Sequence, residues 1–173
     1  MHIRKDIAGV VLAGGRSSRM GTNKALLPYR GRPLIEHMID TLRQAGCSEV
    51  YVSGDVPGYD GISDETAHEG PAQAISGLLK HLRNQHDALL FVAVDMPLLT
   101  AKVLKPLLTM EGSNHYEGHP LPAVIETTFN ASGEKAVRKL LLEAKASSLE
   151  LPIEHEIEMT NVNTQKEWNE VVT

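Results

Sequence analysis

Apolar and polar residues fall into alternating blocks along this chain. Asp6 to Leu12 is almost unbroken apolar sequence ending in Ala13-Gly14-Gly15, the pattern of a strand buried on both faces that opens into a tight glycine turn. Polar loop residues follow to about Arg32. Pro33 then suits the first turn of a helix that lines up Leu34, Ile35, Met38, Ile39 and Leu42 on one face and stops at Gly46. Val50 to Ser53 reads as a second strand. A short third strand is expected near Ile62, within a stretch broken by Gly54, Pro57, Gly58 and Gly61. Pro71 to about Leu82 spaces Ile75, Leu78, Leu79 and Leu82 as one helical face. Ala88 to Val94 is the clearest buried strand, stopped at Asp95-Met96-Pro97 because the residue before a proline is steered out of helix. Thr100 is placed to cap a helix carrying Val103, Leu104, Leu107 and Leu108.

Beyond Gly112 the pattern loosens. His115 to Pro122 is expected as a turn-rich loop, Ala123 to Phe129 as an alternating strand, and Ser132 as the cap of a helix through Ala144. A last strand near Ile157 to Val162 leads into a short helix from Thr164 that carries Trp168. Strands and helices take turns, which predicts a single α/β domain over 1–173: a Rossmann-like three-layer α/β/α fold with a mostly parallel sheet and right-handed crossovers. No repeat, linker or low-complexity tract interrupts it.

Composition agrees with one soluble globular domain: 173 residues, 42% hydrophobic and 23% charged. A chain of this length buries roughly 70% of its unfolded surface, so it needs neither disulfides nor a structural metal. The lone Cys47 cannot form an intrachain bridge or found a zinc site; it is expected in the core and fits a reducing, cytoplasmic setting. The longest apolar run, Ala88 to Val94, is far short of the roughly 20 residues that span a bilayer. Arg4-Lys5 before Ile7 to Ala13 only faintly resembles a signal peptide and reads as the approach to a strand.

Charge changes the picture once it is located. Ile7 to Ile35 holds no carboxylate but five cations, Arg16, Arg19, Lys24, Arg30 and Arg32, which leaves 12 basic against 22 acidic residues elsewhere. An acidic body with one basic segment excludes a nucleic-acid coat and points to a localised anionic ligand. The loop from Leu12 to Lys24 supplies the chemistry: Gly14 and Gly15 let backbone N–H groups approach phosphate oxygens, Ser17 and Ser18 add donors, and Arg19 and Lys24 add positive charge. The strings of a P-loop and of a Rossmann fingerprint do not occur, and Ser17 lacks the second glycine of a nucleophile elbow. Asp95, at the end of the best strand, would emerge at the same sheet edge and is a hard ligand suited to Mg²⁺ shared with substrate phosphates. Asp64, near the third strand, and Asn161 and Asn163, after the last, could reach the metal or the phosphates. His115 and His119 are four apart, but Gly118 and Pro120 break the helix a metal pair would need, and Trp168 and the methionines are expected in the core.

Taken together, Leu12-Ala13-Gly14-Gly15, Arg19-Met20-Gly21, Lys24, Leu26-Leu27 and Gly31-Arg32-Pro33-Leu34 resemble the signature of the molybdenum cofactor guanylyltransferases. The likeness continues through Gly70-Pro71, Asp95-Met96-Pro97, His119-Pro120 and Asn161-Val162-Asn163-Thr164, nearly the whole chain. Its N-terminal part is shared with the wider nucleotidyltransferases, and it implies a nucleotide-diphospho-sugar transferase-like fold. The resemblance implies transfer of GMP from GTP to molybdopterin, with pyrophosphate released. By position, Leu12, Ala13, Gly14, Gly15 and Lys24 would bind GTP, Asp64 would contact the nucleotide, and Ser53 stands where the family commonly has asparagine. Asp95 would bind Mg²⁺, with Asn163 beside it, while Lys24, Arg19 and Asp95 would carry catalysis and His119 and Asn161 would lie toward the pterin. GTP and molybdopterin would be the partners, with transient contacts to cofactor-handling proteins and none to nucleic acid or membrane. Two alternatives stay open: a cytidylyltransferase, which tends to read Ala-Gly where this chain has Gly14-Gly15, and a nucleotide-binding module without catalysis.

Overall fold

A computed structural model describes residues 6–14, 23–62 and 70–172. Seven strands make one sheet, in the order β5 (Gly61–Ile62), β4 (Val50–Ser53), β1 (Ile7–Leu12), β6 (Ala88–Ala93), β8 (Ala123–Glu126), β7 (Asn114–Tyr116) and β9 (Ser147–Leu149). The strands β5, β4, β1 and β6 run parallel, β8 is antiparallel to both its neighbours, and β9 runs parallel to β7. Leu12 pairs with both Ser53 and Ala93, so β1, β4 and β6 end level and the segments that follow them emerge side by side.

The apolar runs lack a polar period because both faces of the sheet are covered. Ile7 and Val11 of β1 join Leu90 and Val92 of β6 in a cluster with residues of α1 (Leu34–Ala45), α3 (Ala101–Thr109) and α5 (Gln165–Val172). The alternate positions, Ala8, Val10 and Leu12 with Leu89 and Phe91, pack with α2 (Pro71–His81) and α4 (Val137–Glu143). Three layers result, as expected. Phe91 is among the largest fully buried side chains, and a residue of its kind contributes about 1.5–3 kcal/mol on burial. No helix among the described residues is long and apolar enough to cross a membrane.

Several elements differ from the sequence-based expectation. Pro33 precedes α1 instead of opening it, because it belongs to the hairpin of β2 (Pro28–Tyr29) and β3 (Arg32–Pro33) within the stretch expected to be loop. The turn residues Arg30 and Gly31 have φ of 50° and 82°, the left-handed pair that a two-residue hairpin demands. Strand β7 runs into the start of the expected His115–Pro122 loop, and β8 stops at Glu126 with Ala123, Val124 and Ile125 all buried rather than alternating. Ser132 does not cap α4: both its main-chain N–H and its hydroxyl donate to the Glu143 carboxylate, tying the preceding loop to the far end of that helix. Where a last strand is expected near Ile157 to Val162, a run of 3-10 helix, Ile153–Met159, passes into irregular chain. Met38, Met96, Met159 and Trp168 are buried, but Met110 is exposed.

Candidate functional site

A cleft of about 800 Å³ opens where β1, β4 and β6 end. Ligands of open α/β sheets bind outside the carboxyl ends of the strands, and the level ends of these three make that edge. Leu12, Ala13 and Gly14 enter the cleft from β1, Ser53 from β4, and Asp95 from just beyond β6. Lys24 comes from the 3-10 turn Lys24–Leu26, while His119 and Asn161 line the opposite side. These eight residues, scattered over most of the chain, therefore share one cavity as the sequence predicts. Asn163 stands behind it, its side-chain oxygen accepting from Lys24 Nζ at 3.2 Å. Gly15, Arg19 and Asp64 lie outside the described residues.

The backbone of the glycine turn is pinned from two sides. Ala13 N–H donates to the Ser53 carbonyl at 2.9 Å, and Val94 N–H donates to the Leu12 carbonyl at 3.1 Å. Gly54 presses directly beneath: with φ at 106°, a Cβ there would stand 2.6 Å from both the amide nitrogen and the Cα of Gly14. Read in the sequence as a loop breaker, Gly54 is the floor of the cradle. Helix α2 begins at the cleft with Gly70 and Pro71, and among the described residues no side chain caps its first turn, whose N–H groups favour an anion.

Asp95 is the acidic residue of the cleft lining among the described residues. Burial raises its carboxyl above the ordinary value, and the nearby Lys24 charge pulls it back toward ionisation. Its carbonyl accepts from Val162 N–H at 2.7 Å, which joins the Asp95 turn to the C-terminal segment. His37 Nε2–H donates to the Pro97 carbonyl at 3.2 Å from the other side; burial keeps His37 below its ordinary value, so the neutral ring is favoured. Asn23 caps the turn that presents Lys24, its side-chain oxygen accepting from Ala25 N–H at 3.0 Å. Neither His37 nor Gly54 was legible as functional in the sequence, since each works through main-chain atoms.

One expectation needs adjustment. Arg30 lies over the Tyr29 ring and Arg32 pairs with Asp40 at 2.8 Å, so these cations of the basic segment serve the hairpin and α1 rather than line the cleft. His115 Nδ1 is within reach of the Tyr116 and His119 carbonyls, and no cluster of three or more metal-ligating side chains occurs among the described residues. Cys47 is buried as expected, its thiol pushed up to about 12 by desolvation.

Comparison with known proteins gives this geometry a family. Residues 9–148 match the MobA-like NTP transferase domain. The chain is 39% identical to the molybdenum cofactor guanylyltransferase of Xanthomonas euvesicatoria, over 99% of its own length and 97% of that protein's. The molybdopterin-guanine dinucleotide biosynthesis protein A of Archaeoglobus fulgidus shares the fold, with a TM-score of 0.70 at 20% identity over 95% of this chain and 96% of that one. So does a Mycobacterium tuberculosis protein solved with manganese, at a TM-score of 0.65 and 20% identity over 96% of this chain and 98% of that one. A cleft at the level ends of β1, β4 and β6, a domain match over most of the chain and a near full-length relative agree: the chain belongs to the MobA-like NTP transferases.

Proposed function

We propose that this protein transfers GMP from GTP to the terminal phosphate of molybdopterin, releasing pyrophosphate. The observation that carries the reading is the convergence of the Leu12–Gly14 backbone, Lys24 and Asp95 in one cleft, in a chain 39% identical to a guanylyltransferase of the same pathway. A phosphate oxygen of the acceptor attacks the α-phosphorus of GTP; one O–P bond forms, the bond to the β-phosphate oxygen breaks, and pyrophosphate leaves with the electron pair. The attacking oxygen is already anionic, so no side-chain nucleophile or base is needed. Catalysis is then positioning and charge stabilisation. The pinned turn at Gly14 and the first turn of α2 offer N–H groups to the phosphates, and the Lys24 ammonium offsets charge on the leaving group.

A divalent cation fits this donor set. A buried carboxylate whose ionised form is disfavoured gains most from a cation, and one protein carboxylate completed by phosphate oxygens and water is the usual Mg²⁺ arrangement. Asp95 would hold the ion, and Mg²⁺ there would neutralise phosphate charge as the α–β bond breaks. Asp64 and Arg19 would add a nucleotide and a phosphate contact, Ser53 a polar contact beside the turn, and Asn161 and His119 would face the pterin. Transient docking to proteins that supply or accept the cofactor would complete its cytoplasmic setting.

Pyrophosphate release and product mass, measured with molybdopterin, Mg²⁺ and either GTP or CTP, test the reading with Asp95→Asn as control. GTP turnover that collapses in the variant supports it. Preference for CTP keeps the mechanism and overturns the base, and nucleotide binding without turnover overturns catalysis itself.

A further inference from the structure

The C-terminal segment reaches the cleft through a short chain of contacts that begins at Glu167. One carboxylate oxygen of Glu167 accepts from Asn163 N–H at 2.6 Å and from Thr164 N–H at 3.2 Å, while Glu167 N–H donates to Thr164 Oγ1 at 3.1 Å. The Thr164–Glu167 part is a reciprocal capping arrangement at the start of α5. Helix capping requires no bond to Asn163. That extra bond fixes the main chain of the residue whose side-chain oxygen holds Lys24 Nζ at 3.2 Å. The neighbouring Val162 N–H is anchored on the Asp95 carbonyl, so one short stretch is registered against both Lys24 and Asp95. Next to Glu167, α5 is fastened by Trp168, 5% exposed and packed against Tyr29 of the hairpin that follows the Lys24 turn.

We propose that Glu167 is a positioning residue: by holding the Asn163 main chain it aims the Asn163 amide, and through it the Lys24 ammonium, at the phosphates. The assignment deepens the reaction proposed above and rests on it for the role of Lys24. Glu167 touches no reacting atom. Charge-assisted bonds to main-chain N–H groups are the stronger class of hydrogen bond, which makes the carboxylate, rather than any side chain of similar shape, the needed group.

The test compares Glu167→Ala and Glu167→Gln with Thr164→Ala and Asn163→Ala in the full chain. It measures kcat and KM for GTP, thermal midpoint, and the rate at which an amine reagent labels Lys24 without nucleotide. Thr164→Ala removes one capping bond and leaves the bond to Asn163, so it reports helix loss alone. Glu167→Ala is expected to lower kcat about tenfold, the effect of one lost charged hydrogen bond, with KM little changed. It should also quicken Lys24 labelling, and it should have no further effect once Asn163 is alanine. Glu167→Gln, which retains an acceptor oxygen, falls between and guards against poor folding of the alanine variant. Equal losses in Glu167→Ala and Thr164→Ala that follow the thermal midpoint overturn the proposal, as does an undiminished Glu167 effect in the Asn163→Ala background. If the wild type turns over neither GTP nor CTP, the functional reading fails. Lys24 labelling still decides on Glu167, and rates equal across the variants overturn its role.

Discussion

His37 Nε2 lies 3.2 Å from the carbonyl oxygen of Pro97 and so fastens the turn carrying Asp95 to α1. Burial, the largest influence on His37, favours its neutral form, helped by the charges of Arg30 and Arg32. The folded protein therefore binds a proton less readily than the unfolded chain does. Stability from this group is complete above its ordinary value of 6.5 and is lost as pH falls below it toward the depressed folded value. Thermal midpoints of the wild type and His37→Gln, measured between about pH 5 and 7, where histidine titrates, should differ in slope. The wild type loses more on acidification; parallel curves would show that His37 does not titrate on unfolding.

Asp95→Asn should separate function from stability. A buried carboxylate resists ionisation, and a neutral amide of the same shape removes that cost, so the thermal midpoint stays level or rises. Turnover should fall by about a hundredfold or more, the scale seen when an electrostatic contact to a transition state is removed. A large drop in midpoint would mean that Asp95 serves the fold first.

Gly54→Ala and Gly58→Ala form a matched pair, since both glycines have positive φ, 106° and 87°. Only at Gly54 does the added carbon meet the glycine turn, 2.6 Å from Gly14, whereas at Gly58 nothing lies within 4 Å. Each substitution should cost about 1–3 kcal/mol of strain, read by denaturant unfolding. Gly54→Ala alone should also weaken GTP binding in calorimetry. Equal affinities in the two variants would refute the role of Gly54 as the floor of the cradle.

Cys47 should be inert in the folded protein. Its thiol is buried and pushed up to about 12, so almost no thiolate exists at neutral pH. Iodoacetamide should label it only after denaturant is added, and mass spectrometry reads this directly; rapid labelling of the native chain would contradict the burial.

The sequence was most legible where burial on both sheet faces left an unbroken apolar run, as in β1 and β6, or where a glycine turn and a carboxylate ended such a run. Leu12, Gly14, Lys24 and Asp95 are brought together for that reason. It was least legible beyond Gly112, where short pieces such as β7 and β9 owe their conformation to a neighbouring edge rather than to their own period. Ile153–Met159 coils with Ile153 and Ile157 left exposed, so its apolar residues do not mark a buried strand. Main-chain contacts leave no mark in residue type, which is why the pairing of Val162 with Asp95 and of His37 with Pro97 emerges only from coordinates.

Lys24 and Asn163 meet in the fold although they stand 139 positions apart in the chain. During synthesis the Lys24 turn is made long before the amide that accepts from its ammonium. A chain cut short before Asn163 lacks that amide, and with it the Trp168 ring that packs on Tyr29. Loss of the stretch from Val162 to Trp168 should therefore loosen the Lys24 side of the cleft and uncover one face of the sheet together.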